Sequence, residues 1–148
     1  VTLRTCGKAL GCEGALVCCP RVLADILINK ARGFIFSTAP SPLAAAAVRA
    51  SLGLLRSQPE RRERLVRLIA VANSRLSATG TQIIPVILGD DVRTTAAAAA
   101  LQARGFDVRG IRPPTVPVGT SRLRVSVTLN VDEAIVGQLA DAIEELSP

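Results

Sequence analysis

The chain has 148 residues, a length that suits one domain of ordinary size with a useful core. A hydrophobic share of 49% and a charged share of 20% exclude a disordered polymer, and no apolar run is long enough to span a membrane. The net charge of +6 could attract polyanions, but three Phe and no Trp or Tyr leave little for base stacking, so neither nucleic acid nor membrane is expected as a partner.

The chain contains no histidine, which rules out a Ser–His–Asp triad, a Cys–His pair or a histidine metal site built from these residues. Its four cysteines, Cys6, Cys12, Cys18 and Cys19, crowd the first twenty positions and form no CxxC knuckle. They are expected to be small, buried, reduced thiols, with no metal, which fits the cytoplasm. The opening Val-Thr-Leu-Arg-Thr-Cys also lacks the basic-then-apolar layout of a secretory signal.

In chain order, a first strand is expected over Val1 to Thr5, entering a turn at Cys6-Gly7-Lys8. A second strand, Ala15 to Cys19, follows Gly11 and Gly14. Pro20 suits a first helical turn, Leu23, Ile26 and Leu27 follow at helical spacing, and Gly33 is placed to stop that helix. An alanine-rich helix is expected from Pro42 to Arg56, and Pro59 opens another with Leu65, Leu68, Ile69, Ala72 and Leu76 on one face.

Ile83 to Leu88 has a strand pattern, and Pro85 within it implies an edge or a bulge. Val92 to Arg104 is helical by its alanine run and closes at Gly105. A short strand is expected at Phe106 to Gly110, then a stiff segment through Pro113, Pro114 and Pro117. Leu123, Val125 and Val127 alternate with Arg122, Arg124 and Ser126, as in a half-buried strand. Asn130 can cap the last helix with Glu133 as its capping-box partner, and Ile135, Leu139, Ile143 and Leu146 line the inner face.

From about Gln82 onward the pattern is β-α-β-β-α, an antiparallel sheet with helices on one side. Residues before Pro40 look instead like the last strands of a larger sheet. Three parts are expected: 1–40, 41–81 as connecting helices, and 82–148 as a small α+β domain.

Lys8 is the first candidate for chemistry. It follows a strand, and the small neighbours Gly7 and Ala9 would let its amine project into a cavity. An amine that attacks a carbonyl must be partly desolvated so that its neutral form is populated. A surface lysine after a turn accounts for the same spacing. A phosphate-cradling P-loop does not, because no glycine lies five positions before Gly7 and Ala9 stands where Ser or Thr is needed.

Three motifs narrow the choice. The run T-C-G-K-A-L-G-C-E-G-A at Thr5 to Ala15 resembles the lysine segment of fold-type I pyridoxal-phosphate enzymes, the α-oxoamine synthases in particular. F-I-F-S-T-A-P-S-P at Phe34 to Pro42 is similar to that family's following segment. I-R-P-P-T-V-P-V-G-T-S-R-L-R-V-S-V-T, from Ile111 to Thr128, resembles the C-terminal motif of its alanine-using branch. The three cover the whole chain in order.

The resemblance implies an α/β chain, the C-terminal part of a fold-type I transferase: a remnant of the large cofactor domain followed by the α+β small domain. It implies pyridoxal 5'-phosphate held by Lys8, which would also take and return protons at the substrate carbon. Thr5 would bond the cofactor phosphate, and Ser37 and Thr38 would lie near a phosphate, in the neighbouring subunit of a homodimer. Arg112 would clamp the amino-acid carboxylate, and Thr115 would line the substrate pocket. The implied reaction joins L-alanine to a pimeloyl thioester, on coenzyme A or a carrier protein, with loss of carbon dioxide.

Relatives that use glycine, forming aminolevulinate or 2-amino-3-oxobutyrate, and a non-catalytic α+β binding or dimerisation module are the alternatives. The family carries a large domain ahead of the lysine, so this chain is expected to be a fragment inactive by itself. The connection Ser77 to Thr81 is also shorter than the family usually has.

Overall fold

The structure, a computed structural model, describes residues 1–76 and 80–146. Ser77 to Thr79, within the expected short connection, lie outside the described residues. The chain divides into two compact units, Val1–Pro59 and Glu60–Pro148, so the division falls inside the stretch expected to hold the connecting helices.

In the first unit, β1 (Thr2–Thr5) pairs antiparallel with β2 (Ala15–Cys18), with Leu3 opposite Val17. Helices α1 (Arg21–Lys30), α2 (Arg32–Ile35) and α3 (Pro42–Ser57) follow. The Ser41 hydroxyl accepts from the Leu43 N–H at 3.2 Å and Pro42 opens α3, an N-terminus that needs no other cap. Gly33 does not stop α1 as expected. The break falls at Ala31, whose extended backbone (ψ 106°) ends α1 and starts α2, leaving Gly33 inside the second helix.

This unit has almost no core. Among its described residues only Cys6 and Val48 are buried, and α1 buries none of its residues. Both faces of the β1–β2 pair are exposed, and Phe34 and Phe36 remain 63% and 73% accessible. The expectation of four buried thiols is corrected accordingly: Cys6 is buried, Cys12 and Cys19 are half-buried, and Cys18 is exposed because nothing covers its strand face. All four are free thiols.

The second unit is built in the usual way, apolar faces against one another. It comprises α4 (Pro59–Arg75, counted here from Glu60), β3 (Ile83–Gly89), α5 (Asp91–Ala103), β4 (Arg109–Ile111), β5 (Ser121–Ser126) and α6 (Glu133–Leu146). The sheet order is β3-β5-β4, antiparallel throughout. β3 is therefore an edge strand, which tolerates Pro85, paired in register with Arg124; the register shift falls further on, between Ile87 and Gly89. On β5 the inward set Ser121, Leu123 and Val125 is buried, while Arg122 is half-buried and Arg124 exposed. Leu68, Ile84, Leu101 and Leu123 are fully buried at the centre with Ala72, Ala140 and Ile143.

Three local expectations shift. β4 covers Arg109–Ile111 instead of Phe106 to Gly110, because the chain first closes α5. Gly105 takes a positive φ of 88°, the Phe106 N–H bonds back to the Leu101 carbonyl, and Val108 bonds Phe106. The last helix is capped by Asp132, not Asn130: its Oδ1 accepts from the Ile135 N–H at 2.9 Å, so Glu133 is the first helical residue. That start puts Val136, Ala140 and Ile143 inward and leaves Ile135 at 39% exposure, outside the inner face expected for it. Among the described residues no helix is long and apolar enough to cross a membrane.

Candidate functional site

Lys8 sits in the loop between β1 and β2, and that loop is closed by backbone bonds. Cys6 N–H donates to the Gly14 carbonyl (2.9 Å), Cys12 N–H to Cys6 (3.0 Å), and Gly11 N–H to Lys8 (3.0 Å). Gly11 and Gly14 hold φ of 61° and 91°, which a residue with a Cβ adopts only at a cost. Buried Cys6 anchors this turn from below. Lys8 is exposed, and among the described residues its amine has no hydrogen-bond or ion-pair partner. An unpartnered primary amine on a fixed loop is what an aldehyde needs in order to condense. Thr5, exposed, ends β1 three residues before Lys8.

Ser37 and Thr38 lie elsewhere in the first unit. They line an apolar hollow of about 770 Å³ with Val17, Leu27, Ile28 and Phe34, and neither Thr5 nor Lys8 is among its walls. The Ser37 hydroxyl donates to the Gly33 carbonyl at 2.6 Å, which leaves its oxygen free to accept. Ser37 and Thr38 thus line one hollow, while Thr5 and Lys8 belong to the β1–β2 hairpin and do not line it.

In the second unit Arg112 and Thr115 begin the segment between β4 and β5, and the Thr115 N–H donates to the Arg112 carbonyl at 3.0 Å. Their side chains part company. Arg112 lines a shallow recess with Asp91, Val92 and Thr95 of α5. Thr115 lines a recess on the other face of the sheet, with Arg122, Arg124, Ile83, Pro85 and Ile111. Strand parity explains the split: Gly110 faces α5, where an added Cβ would lie 3.1 Å from the Thr94 methyl, so Arg109 and Ile111 face away.

The Thr115 recess brings two guanidinium groups beside the hydroxyl. Arg109 stands directly opposite Arg124, and Ile111 opposite Arg122. Like charges facing across a strand pair are unfavourable unless something negative comes between them. Arg109 has Asp107 at 2.9 Å and Arg122 donates to the Thr120 carbonyl at 2.8 Å, whereas Arg124 has no partner among the described residues. The alternation of Arg122 and Arg124 with Leu123 was visible in the sequence as the polar face of a strand. Only the position of Thr115 turns that face into a site.

Residues 1–143 match the model of the family described as aminotransferase class I and II. The chain is 46% identical over 155 aligned positions to an 8-amino-7-oxononanoate synthase of Anaeromyxobacter dehalogenans (strain 2CP-C), an alignment that takes in 100% of this chain and 39% of that protein. Its identity to the synthase of that name from Bordetella petrii is 44%, covering 99% of this chain and 39% of the relative.

Among solved structures, the 8-amino-7-oxononanoate synthase of Francisella tularensis superposes with a TM-score of 0.85 at 26% identity, over 97% of this chain and 44% of that one. The serine palmitoyltransferase of Sphingomonas wittichii gives 0.82 at 25% identity, over 97% and 38%. The chain thus spans about two fifths of the length of the relatives it matches.

Proposed function

Because this chain belongs to the aminotransferase class I and II family, we propose that it contributes the lysine-bearing and carboxylate-binding part of a pyridoxal-phosphate C-acyltransferase. The reaction is condensation of L-alanine with a pimeloyl thioester, with loss of carbon dioxide, to give 8-amino-7-oxononanoate. One observation carries this reading: identity of 46% running through the whole chain, Lys8 loop and Thr115 segment included, to a synthase of that name. The acyl group arrives on coenzyme A or a carrier protein, the working form is a homodimer, and the four unpaired thiols suit the reducing cytoplasm.

Pyridoxal phosphate, when bound, supplies an electron sink for the carbanion formed at the amino acid's α-carbon. This chain's own residues do the rest. Lys8 Nζ would hold the cofactor by its aldehyde and would take and return the proton at the substrate's α-carbon. The Thr5 hydroxyl would donate to the cofactor phosphate. Ser37 and Thr38, away from Lys8, serve the site of the second copy in the dimer.

For the amino-acid carboxylate two guanidinium groups compete. Arg112 is the arginine of the I-R-P-P-T motif, but it shares its recess with the Asp91 carboxylate. Arg124 shares a recess with Thr115 and lacks a partner among the described residues. We favour Arg124, with Arg122 beside it, as the two-pronged donor to the carboxylate, and Thr115 as the neighbouring hydroxyl.

The test is chemical. In a family-length enzyme carrying this chain, borohydride should fix the cofactor on the peptide containing Lys8, and Lys8→Ala should abolish both the adduct and turnover. Labelling on any other residue, or no labelling at all, would refute the assignment and favour a non-catalytic module. Replacing alanine by glycine in the same assay separates the oxononanoate reading from the glycine-using branch.

A further inference from the structure

Two polar side chains are fully buried among the described residues of the second unit, Thr94 and Ser121. Thr94 is explained locally, since its hydroxyl donates to the Asp90 carbonyl at 2.7 Å. Ser121 is not. It opens β5 on the inward side, where Leu123 and Val125 follow, and a small apolar residue would fill that place as well. Its hydroxyl instead donates to the Asp91 carboxylate in the first turn of α5.

That turn is a fixed point. Asp90 Oδ1 accepts from the Arg93 N–H at 2.7 Å, and Thr94 N–H donates to the Asp90 carbonyl at 3.0 Å. The segment that arrives at Ser121 carries Thr115 and is tied mostly to itself. Thr120 bonds the Pro117 carbonyl through its N–H and its hydroxyl, and Arg122 bonds the Thr120 carbonyl. At its other end Arg112 lines the recess that Asp91 also lines. The segment 112–121 is therefore tied to the first turn of α5 through Ser121, with Arg112 bordering the same recess as Asp91.

We propose that Asp91 is a positioning residue: through the Ser121 hydroxyl it holds the end of the 112–121 segment against α5, and so fixes Thr115 relative to Arg122 and Arg124. The inference rests on the carboxylate-site reading above for its consequence, although the clamp itself is a property of this chain. Neither Asp91 nor Ser121 touches the substrate. Their effect is on where the site's hydroxyl and guanidinium groups stand, and small misplacements of such groups weaken binding strongly.

Two measurements test it. In the 148-residue chain, Ser121→Ala and Asp91→Ala should each speed amide exchange at Thr115 and Thr120 by roughly tenfold while Leu101 and Ile143 stay at the parent rate. Asp91→Asn keeps an oxygen for the Ser121 hydroxyl and should restore Thr120. Unchanged exchange at Thr115 and Thr120 in both alanine variants overturns the clamp, whatever the enzyme's substrate proves to be.

In a family-length enzyme, each alanine variant should raise KM for the amino acid by roughly three- to tenfold with kcat and the cofactor's absorption unchanged, and the double variant should be no worse than either single. Additive losses, or a fall in kcat with KM constant, would show two independent structural contacts and refute a shared anchor.

Discussion

At the scale of single residues, the chemistry proposed for this chain divides between one lysine and a small set of arginines. Lys8 was singled out by its setting: a strand before it, glycine and alanine on either side, and a recognisable run around it. The arginines are harder, because sixteen of the eighteen basic residues are arginine, only Lys8 and Lys30 being lysine, and each guanidinium offers the same fork. The motif points to Arg112, whereas the recess that holds Thr115 points to Arg124. We expect Arg124→Ala to raise KM for alanine at least about tenfold in the complete enzyme, since a charge-assisted pair to a carboxylate is lost, and Arg112→Ala to cost less. The reverse order, read from initial rates at varied alanine, would return the carboxylate to Arg112.

At the scale of elements, the second unit shows how local pattern and packing cooperate. Gly110 sits where a side chain would be crowded: an added Cβ would lie 3.1 Å from the Thr94 methyl and 3.4 Å from its carbonyl oxygen, and Thr94 is buried. Gly110→Ala should therefore destabilise the protein by about 1–3 kcal/mol, measured as a lower denaturation midpoint with unchanged m. Asp132→Ala should cost about 1 kcal/mol through loss of the α6 cap, while Asn130→Ala should cost little.

α4 and α6 are joined on the surface by Arg75, which bonds Asp141 and also approaches Glu144 at 3.4 Å. Those partners raise its pKa, the Asp141 hydrogen bond first, so this contribution is in full force below the guanidinium's ordinary range and is lost only as pH rises through the folded value. Because the pair is exposed, the gap in Tm between Arg75→Ala and the parent should narrow as salt approaches about 1 M.

At the scale of the whole molecule, the two units differ in kind. Glu60–Pro148 has a continuous core from Leu68 to Ile143, whereas Val1–Pro59 exposes apolar residues on both strand faces and along α1. A unit that buries so little cannot offset the entropy of ordering its backbone. Amides of β1 and β2 should accordingly exchange roughly a hundredfold faster than those of Leu123 and Val125 in this chain alone. The chain alone should also show no turnover of alanine with a pimeloyl thioester. Strong protection of Leu3 and Val17 in the isolated polypeptide would contradict the first expectation, and measurable product the second.

The sequence by itself determined the main helices and strands and their order, because proline starts and the alternation of Leu123 and Val125 with arginines are local, whereas the break at Ala31, the start of β4 and the cap of α6 needed the folded chain. It also identified the family, since three motifs in register belong to the chain as a string. Tertiary structure alone decided which recess each side chain enters. Arg112 and Thr115 are three positions apart yet open on opposite faces, because Gly110 must face α5 and the segment turns after Ile111. Likewise, no pattern in the string shows that Ser121 reaches Asp91, thirty positions away, or that apolar α1 buries nothing. Both depend on what packs against what, and that is a property of the folded chain.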